Sequence, residues 1–410
     1  QPRRTPGRCP IPARPSPLVA FAPMSAALLV LLLWVVPGSR AQQVGEVAEE
    51  AAPALTVKKC AGSTCEPEEL SVTLDAQYRW VHDVDGYDNC FDAGSWDETL
   101  CETGVDCAKN CAIDGVDKKG YPDTYGVAAT PDGIELQFAV KGEYGTNYGS
   151  RVYVLDGEDT YKMFKLKNRE FSFDVDISKL PCGLNGAVYF VAMDQKGDLG
   201  KGQNEAGAKY GLGYCDAQCP RGQKFVEGVA NIDGWDASTN LGKVGACCAE
   251  LDLFEANMNS SAMTVHPCAS EEPSTCETDE CDKETICDKD GCQYNPYHMG
   301  NPWFYGPGET FTIDTTKKFT VVTQFITEDG TDEGDLVEMR RFYIQDGKTW
   351  ALPNVSGIEK TQEHVTGNSL NDGYCSAKNG DKLFGAGGER RLGSTGHHAA
   401  HAAHAAHAAH

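Results

Sequence analysis

The chain has 410 residues, with 60 Asp and Glu against 36 Lys and Arg, a formal net charge of −24, 40% apolar residues, 44 Gly, 20 Pro and 18 Cys. A balance this acidic repels phosphate backbones and anionic lipid heads, which sets nucleic acid and membrane surfaces aside and favours a neutral or cationic partner. The length allows two or three average domains, but a large β-sandwich runs past about 200 residues as one unit, so length alone does not divide the chain.

Residues 1–23 carry Arg and Pro and no acid and precede Met24, and they read as translated leader sequence. From Met24 a short apolar run, Ala26 to Val36, is followed by Pro37, Gly38 and the small-residue end Ser39-Arg40-Ala41. This is the pattern of a secretory signal over 24–41. The run is well short of the about 20 apolar residues that span a bilayer. Most cysteines fall in close pairs between Cys60 and Cys292, which reads as a disulfide framework made in an oxidising compartment, and the product is expected outside the cell.

From Leu55 to Gly388 there is no repeat and no sustained 3.6-residue apolar period. Period-2 segments recur instead. Val72, Leu74, Ala76, Tyr78 and Trp80 alternate with polar residues, and so do Phe171, Phe173, Val175 and Ile177. Further strands are expected at 134–140, 151–155, 188–193, 319–326 and 341–345, separated by Gly, Asp, Asn and Pro clusters. Many strands, long polar loops and several staples predict an all-β antiparallel sandwich. After Gly388 the composition changes to a tail, 389–410, in which His recurs every third residue from His398. It reads either as a metal-binding tract or as a frame-shifted or appended segment.

The sharpest chemistry lies in Cys247-Cys248-Ala249-Glu250-Leu251-Asp252-Leu253-Phe254-Glu255-Ala256-Asn257. In a regular strand Glu250 and Asp252 share a face and Glu255 falls on the other. One β-bulge between Asp252 and Glu255 brings all three to one side. Two Glu carboxyls about 5 to 5.5 Å apart are the machinery of a retaining glycosidase, and a third acid between them helps hold their pKa values apart. A solvated acidic face, or part of a calcium site, is the alternative reading of the same spacing. By itself His266 reads as a core histidine.

CCAELDLFEAN, followed by HPC at His266 to Cys268, resembles the signature of glycoside hydrolase family seven, the retaining cellulases comprising cellobiohydrolases and endoglucanases. Blocks at 171–194, 206–221, 291–301 and 304–325 resemble the family in the same order, so the resemblance spans Leu55 to Gly388. It implies a concanavalin-like jelly roll whose long, disulfide-stapled loops form a cleft or tunnel, in one catalytic domain over 42–388. It implies Glu250 as nucleophile, Glu255 as general acid/base, Asp252 as the carboxylate that orients Glu250, and His266 beside the leaving group. Arg151, Asn185, Tyr189, Asp216 and Gln218 match positions lining the sugar cleft, and Asp290 matches one on the product side. Trp80 and Tyr78 stand where the family places two tryptophans. Glucose faces are apolar C–H surfaces on which aromatic planes stack. Trp80 is read as such a platform, while Tyr78 stays open between stacking and core.

The resemblance also implies the pairs Cys60–Cys65, Cys90–Cys111, Cys101–Cys107, Cys215–Cys248, Cys219–Cys247, Cys268–Cys287, Cys276–Cys281 and Cys292–Cys375. Cys182 is left over, its family partner lying in a C-terminal segment that this sequence does not carry. Uncovered sheet edges and a free thiol are then expected, with poor folding or no activity of the chain as written. The implied partner is cellulose or another β-1,4-glucan, acted on by a monomer with no metal or organic cofactor. The staple Cys276–Cys281 and the block at 229–235 resemble cellobiohydrolases. The short stretch from Trp235 to Cys247, the longer segment 326–341, and His298 where an Arg is usual suggest a more open product side. A non-catalytic glucan-binding copy is the remaining alternative. Sequons at Asn259 and Asn354 fit secretion.

Overall fold

The computed structural model describes residues 43–142, 145–355, 366–379 and 399–408, the last as backbone only. The leader and signal readings lie outside the described residues.

Two antiparallel sheets face one another. The first runs, in spatial order, through Ala54–Ala61, Thr64–Leu74, Ser150–Leu155, Ala399–Ala408, Leu184–Val191, Glu250–Ala256, Ser261–His266 and Cys292–Tyr294, with Met163–Phe164 at its side. The second runs through Arg169–Val175, Phe319–Thr327, Leu336–Gln345 and Lys348–Ala351, with Ser369–Asn371 also on Leu336–Gln345. Both reach beyond the segments expected from alternation, because ladder hydrogen bonds carry strands past the residues that show the pattern.

Between the sheets lies one continuous core. Phe190, Leu251, Leu253, Phe254, Met263 and Val265 of the first sheet meet Phe319, Val321, Phe325, Met339 and Tyr343 of the second. Burying each such side chain is worth about 1.5–3 kcal/mol, so this face holds the catalytic-candidate strand in place. Its opposite face is then free to carry polar groups.

The alternation that begins at Val72 does not continue to Trp80. The strand stops at Leu74, and Asp75 caps a single 3₁₀ turn over Ala76–Tyr78 by accepting from the Gln77 N–H at 2.6 Å. The cap swings the following residues out of the sheet. The segment 134–140 likewise divides into Gly133–Leu136 and Ala139–Lys141. Residues 326–341 extend two paired strands joined by a turn in which the Glu328 N–H donates to Asp335.

All eight implied disulfides are present. Cys182 is free and exposed. The sheet differs from expectation at one place. Ala399–Ala408 lies antiparallel to both Ser150–Leu155 and Leu184–Val191, so the edges of these two strands are paired rather than bare. A ladder is made by main-chain groups, which an Ala/His segment supplies as well as any other.

Candidate active site

The strand Glu250–Ala256 is paired on both sides, and both ladders slip between Asp252 and Glu255. Against Leu184–Val191, Asp252 faces Tyr189 and Phe254 faces Val188, so Leu253 is the extra residue. This is the expected bulge, and it places Glu250, Asp252 and Glu255 on one face while Leu253 and Phe254 both enter the core.

Two disulfides fix the entrance to that strand. Cys215–Cys248 and Cys219–Cys247 tie the segment 215–219 to the residues just before Glu250. Between them the Ala217 N–H donates to Glu250 Oε2 at 3.1 Å. Glu250 is otherwise buried, and burial, followed by the charges of Asp252 and Asp216, drives its carboxyl well above the usual range, opposed by that N–H. Glu255 accepts from Asn185 Nδ2 at 2.9 Å. Burial and then the Asp252 charge push Glu255 up to about 7, with the Asn185 bond and His266 pulling the other way.

His266 lies directly across from Glu250 in the ladder. Its Nε2 is 3.1 Å from Asp252 Oδ2, and its Nδ1 lies 2.8 Å from the Asp288 carbonyl oxygen. Burial alone depresses an imidazole, but the bond and charge of Asp252 and the Asp288 carbonyl outweigh it, and His266 stands at about 9. Both ring nitrogens face acceptors, so both carry protons. Oxygens of Glu250 and Asp252 and a nitrogen of His266 lie within 4.8 Å of one another, a spacing that would suit a cation. In this arrangement both ring nitrogens of His266 are already engaged, by Asp252 and by the Asp288 carbonyl.

A polar chain leads away from Glu250. Asp216 accepts from the Gln218 N–H at 2.7 Å and from the Tyr214 hydroxyl at 2.5 Å, and the Tyr214 hydroxyl lies 3.0 Å from that of Tyr189. Arg151 stacks over the Tyr214 ring at 3.3 Å and pairs with buried Asp75, which also accepts from Tyr153. Gln218 is exposed and bonds the Lys289 carbonyl at 2.9 Å. Asp290 is exposed and near Lys378 in charge terms.

Glu250, Asp252, Glu255, His266, Asn185, Tyr189, Asp216 and Arg151 thus belong to one connected region. Tyr78 packs against the cluster of Val72, Leu74 and Val152, which favours core over platform for this ring. Trp80 stays half-buried, stacked on His82 with ring centroids 4.1 Å apart and near-parallel to exposed Tyr87 at 6.3 Å. Its indole N–H donates to Asn89 at 2.6 Å, which locks the ring.

Three participants escaped sequence reasoning. Tyr214 stands two residues before Asp216, and in an extended segment that spacing puts both on one face, a signal that was available. The Ala217 N–H and the Asp288 carbonyl are main-chain groups and leave no residue-type signature.

The sequence profile of glycosyl hydrolase family 7 matches residues 44–402. Among solved structures, a family 7 cellobiohydrolase from Daphnia pulex is 42% identical with a TM-score of 0.83, the match covering 88% of this chain and 85% of that one. A cellobiohydrolase from Melanocarpus albomyces complexed with cellotetraose is 38% identical, with a TM-score of 0.79 and coverage of 88% and 84%. An endocellulase from Humicola insolens is 34% identical, with a TM-score of 0.76 and coverage of 88% and 87%. The bulged carboxylate strand therefore sits in a sandwich shared along most of its length with these enzymes, and the chain belongs to glycosyl hydrolase family 7.

Proposed function

We propose that the protein is a secreted cellulase that hydrolyses β-1,4-glucan with retention of configuration. The observation that carries this reading is the bulge, which gathers buried Glu250 and Asp252 and half-buried Glu255 on one face. In the first step Glu250, in the carboxylate form that the Ala217 N–H favours against burial and the neighbouring acids, attacks the anomeric carbon while Glu255, in its acid form, passes its proton to the departing glycosidic oxygen. In the second step the Glu255 carboxylate takes a proton from water, the water oxygen attacks the anomeric carbon, and Glu250 is released. The elevation of Glu255 to about 7 suits this exchange, since an acid must be protonated near working pH and a base must ionise once the leaving group has gone. Asp252, bonded to a cationic His266, shares its charge with the imidazole and orients the neighbouring nucleophile. Trapping with a 2-fluoro cellobioside followed by peptide mass spectrometry tests the assignment. The label is expected on Glu250, and a label on any other residue would overturn it.

Release of cellobiose from chain ends is the preferred mode. The staple Cys276–Cys281, which resembles a loop staple of cellobiohydrolases, supports it. Trp80, half-buried with its ring fixed by Asn89 and His82, is the candidate sugar-stacking platform of this reading. Endoglucanase action is the second reading, favoured by His298 in place of Arg. Soluble cellobiose appearing with little fall in the viscosity of carboxymethylcellulose would support the first mode, and a rapid fall in viscosity the second.

A further inference from the structure

The strand Leu336–Gln345 of the second sheet turns Met339, Arg341 and Tyr343 toward the core. Arg341 breaks that pattern. It is 1% exposed between two fully buried apolar neighbours and has no carboxylate partner among the described residues. A guanidinium in such a place is costly unless its donors are used. Its Nε donates to Thr323 Oγ1 at 3.1 Å, and it packs 5.8 Å from the Tyr343 ring centroid. Its terminal nitrogen crosses the sandwich and donates to the main-chain carbonyl of Leu253. Leu253 is the extra residue of the bulge, fully buried and out of step with the neighbouring strand. The same strand sends Tyr343 across to Ser261, 3.2 Å between hydroxyls, where Ser261 pairs with the last residue of the carboxylate strand.

We propose that Arg341 is a positioning residue for the glycosidase reaction: by capping the Leu253 carbonyl from the far sheet it holds the bulge that keeps Glu255 on the same face as Glu250 and Asp252. A bulge leaves a main-chain group outside the ladder, and a buried carbonyl without a donor shifts the backbone until it finds one. Sheets in a sandwich lie about 10 Å apart, a gap that few donor side chains other than Arg can bridge. A core position that breaks the apolar pattern is accounted for when it serves the site on the other face. The inference rests on Glu255 being the acid/base.

The test uses the full chain with Arg341→Met, Arg341→Lys and Thr323→Val. Methionine fills the space without a donor, lysine restores one donor, and valine removes one tether of the guanidinium. For Arg341→Met the expected outcome is a fall of about 100-fold in kcat on cellotetraose per folded molecule, the scale associated with misplacing a reacting group by about 1 Å. KM is expected to change much less. The Glu255 titration, read by carbon NMR of the labelled side chain, is expected to move below about 7 as the carboxyl loosens from its site beside Asp252 and His266. Arg341→Lys should recover part of both effects, and Thr323→Val should show a smaller change of the same kind. A lower melting temperature with unchanged kcat per folded molecule and an unchanged Glu255 titration would make Arg341 a stabilising residue only and overturn the proposal. The titration is read without turnover. A parent protein lacking glucanase activity would therefore overturn the reaction assignment, while a Glu255 shift in Arg341→Met would still support the positioning role.

Discussion

Replacing Glu255 by Gln tests the electrostatics of the site through stability as well as through rate. The folded protein holds this carboxyl at about 7 against an ordinary 4.5. Between those values the native state binds more protons than the unfolded one, so stability falls as pH rises through the window. The displacement corresponds to about 3 kcal/mol of penalty fully present above about pH 7 and absent below about pH 4. Gln keeps an oxygen for the Asn185 amide and never ionises. Glu255→Gln is therefore expected to raise the melting temperature at pH 8 by roughly 5 °C more than it does at pH 4. His266, whose folded value of about 9 exceeds 6.5, adds stability that is complete below about pH 6.5 and fades as pH rises through 9. That contribution is common to both proteins and largely cancels in the difference. Thermal melts of parent and variant at the two pH values, with kcat on cellotetraose falling by about 10²–10⁴, provide the assay. Equal changes in melting temperature at pH 4 and pH 8 would refute the argument that burial and Asp252 hold a proton on Glu255.

Asn185→Ala removes the bond that opposes the elevation of Glu255, so the alkaline limb of the pH–rate profile should move upward while kcat falls a few-fold; a downward move would contradict the geometry. Asp75→Asn takes the carboxylate from buried Arg151 and should cost about 3 kcal/mol in urea unfolding, with little effect if the pair is dispensable. Trp80→Ala should lower the rate on insoluble cellulose more than that on cellotetraose, and equal losses on both would place the ring outside the polymer path.

Much of this protein was legible without coordinates, for identifiable physical reasons. Acids at 250, 252 and 255 among Leu and Phe admit one arrangement that buries the apolar side chains and gathers the carboxyls, and the strand bulges where that arrangement requires. Disulfide connectivity follows from family resemblance, and the eight pairs agree with it. Alternation misled at Tyr78 and Trp80, because one capping carboxylate, Asp75, ends the strand and sends the two rings to different environments. Only the tertiary structure brings the Ala217 N–H onto Glu250, the Asp288 carbonyl onto His266 and the Arg341 guanidinium onto Leu253. Two of these groups are main chain, identical in every residue, and the third acts across a sheet gap from 88 residues away. Side-chain pattern determines which face a strand buries, whereas the partners of main-chain groups depend on how distant segments meet, and that is decided only when the sandwich closes.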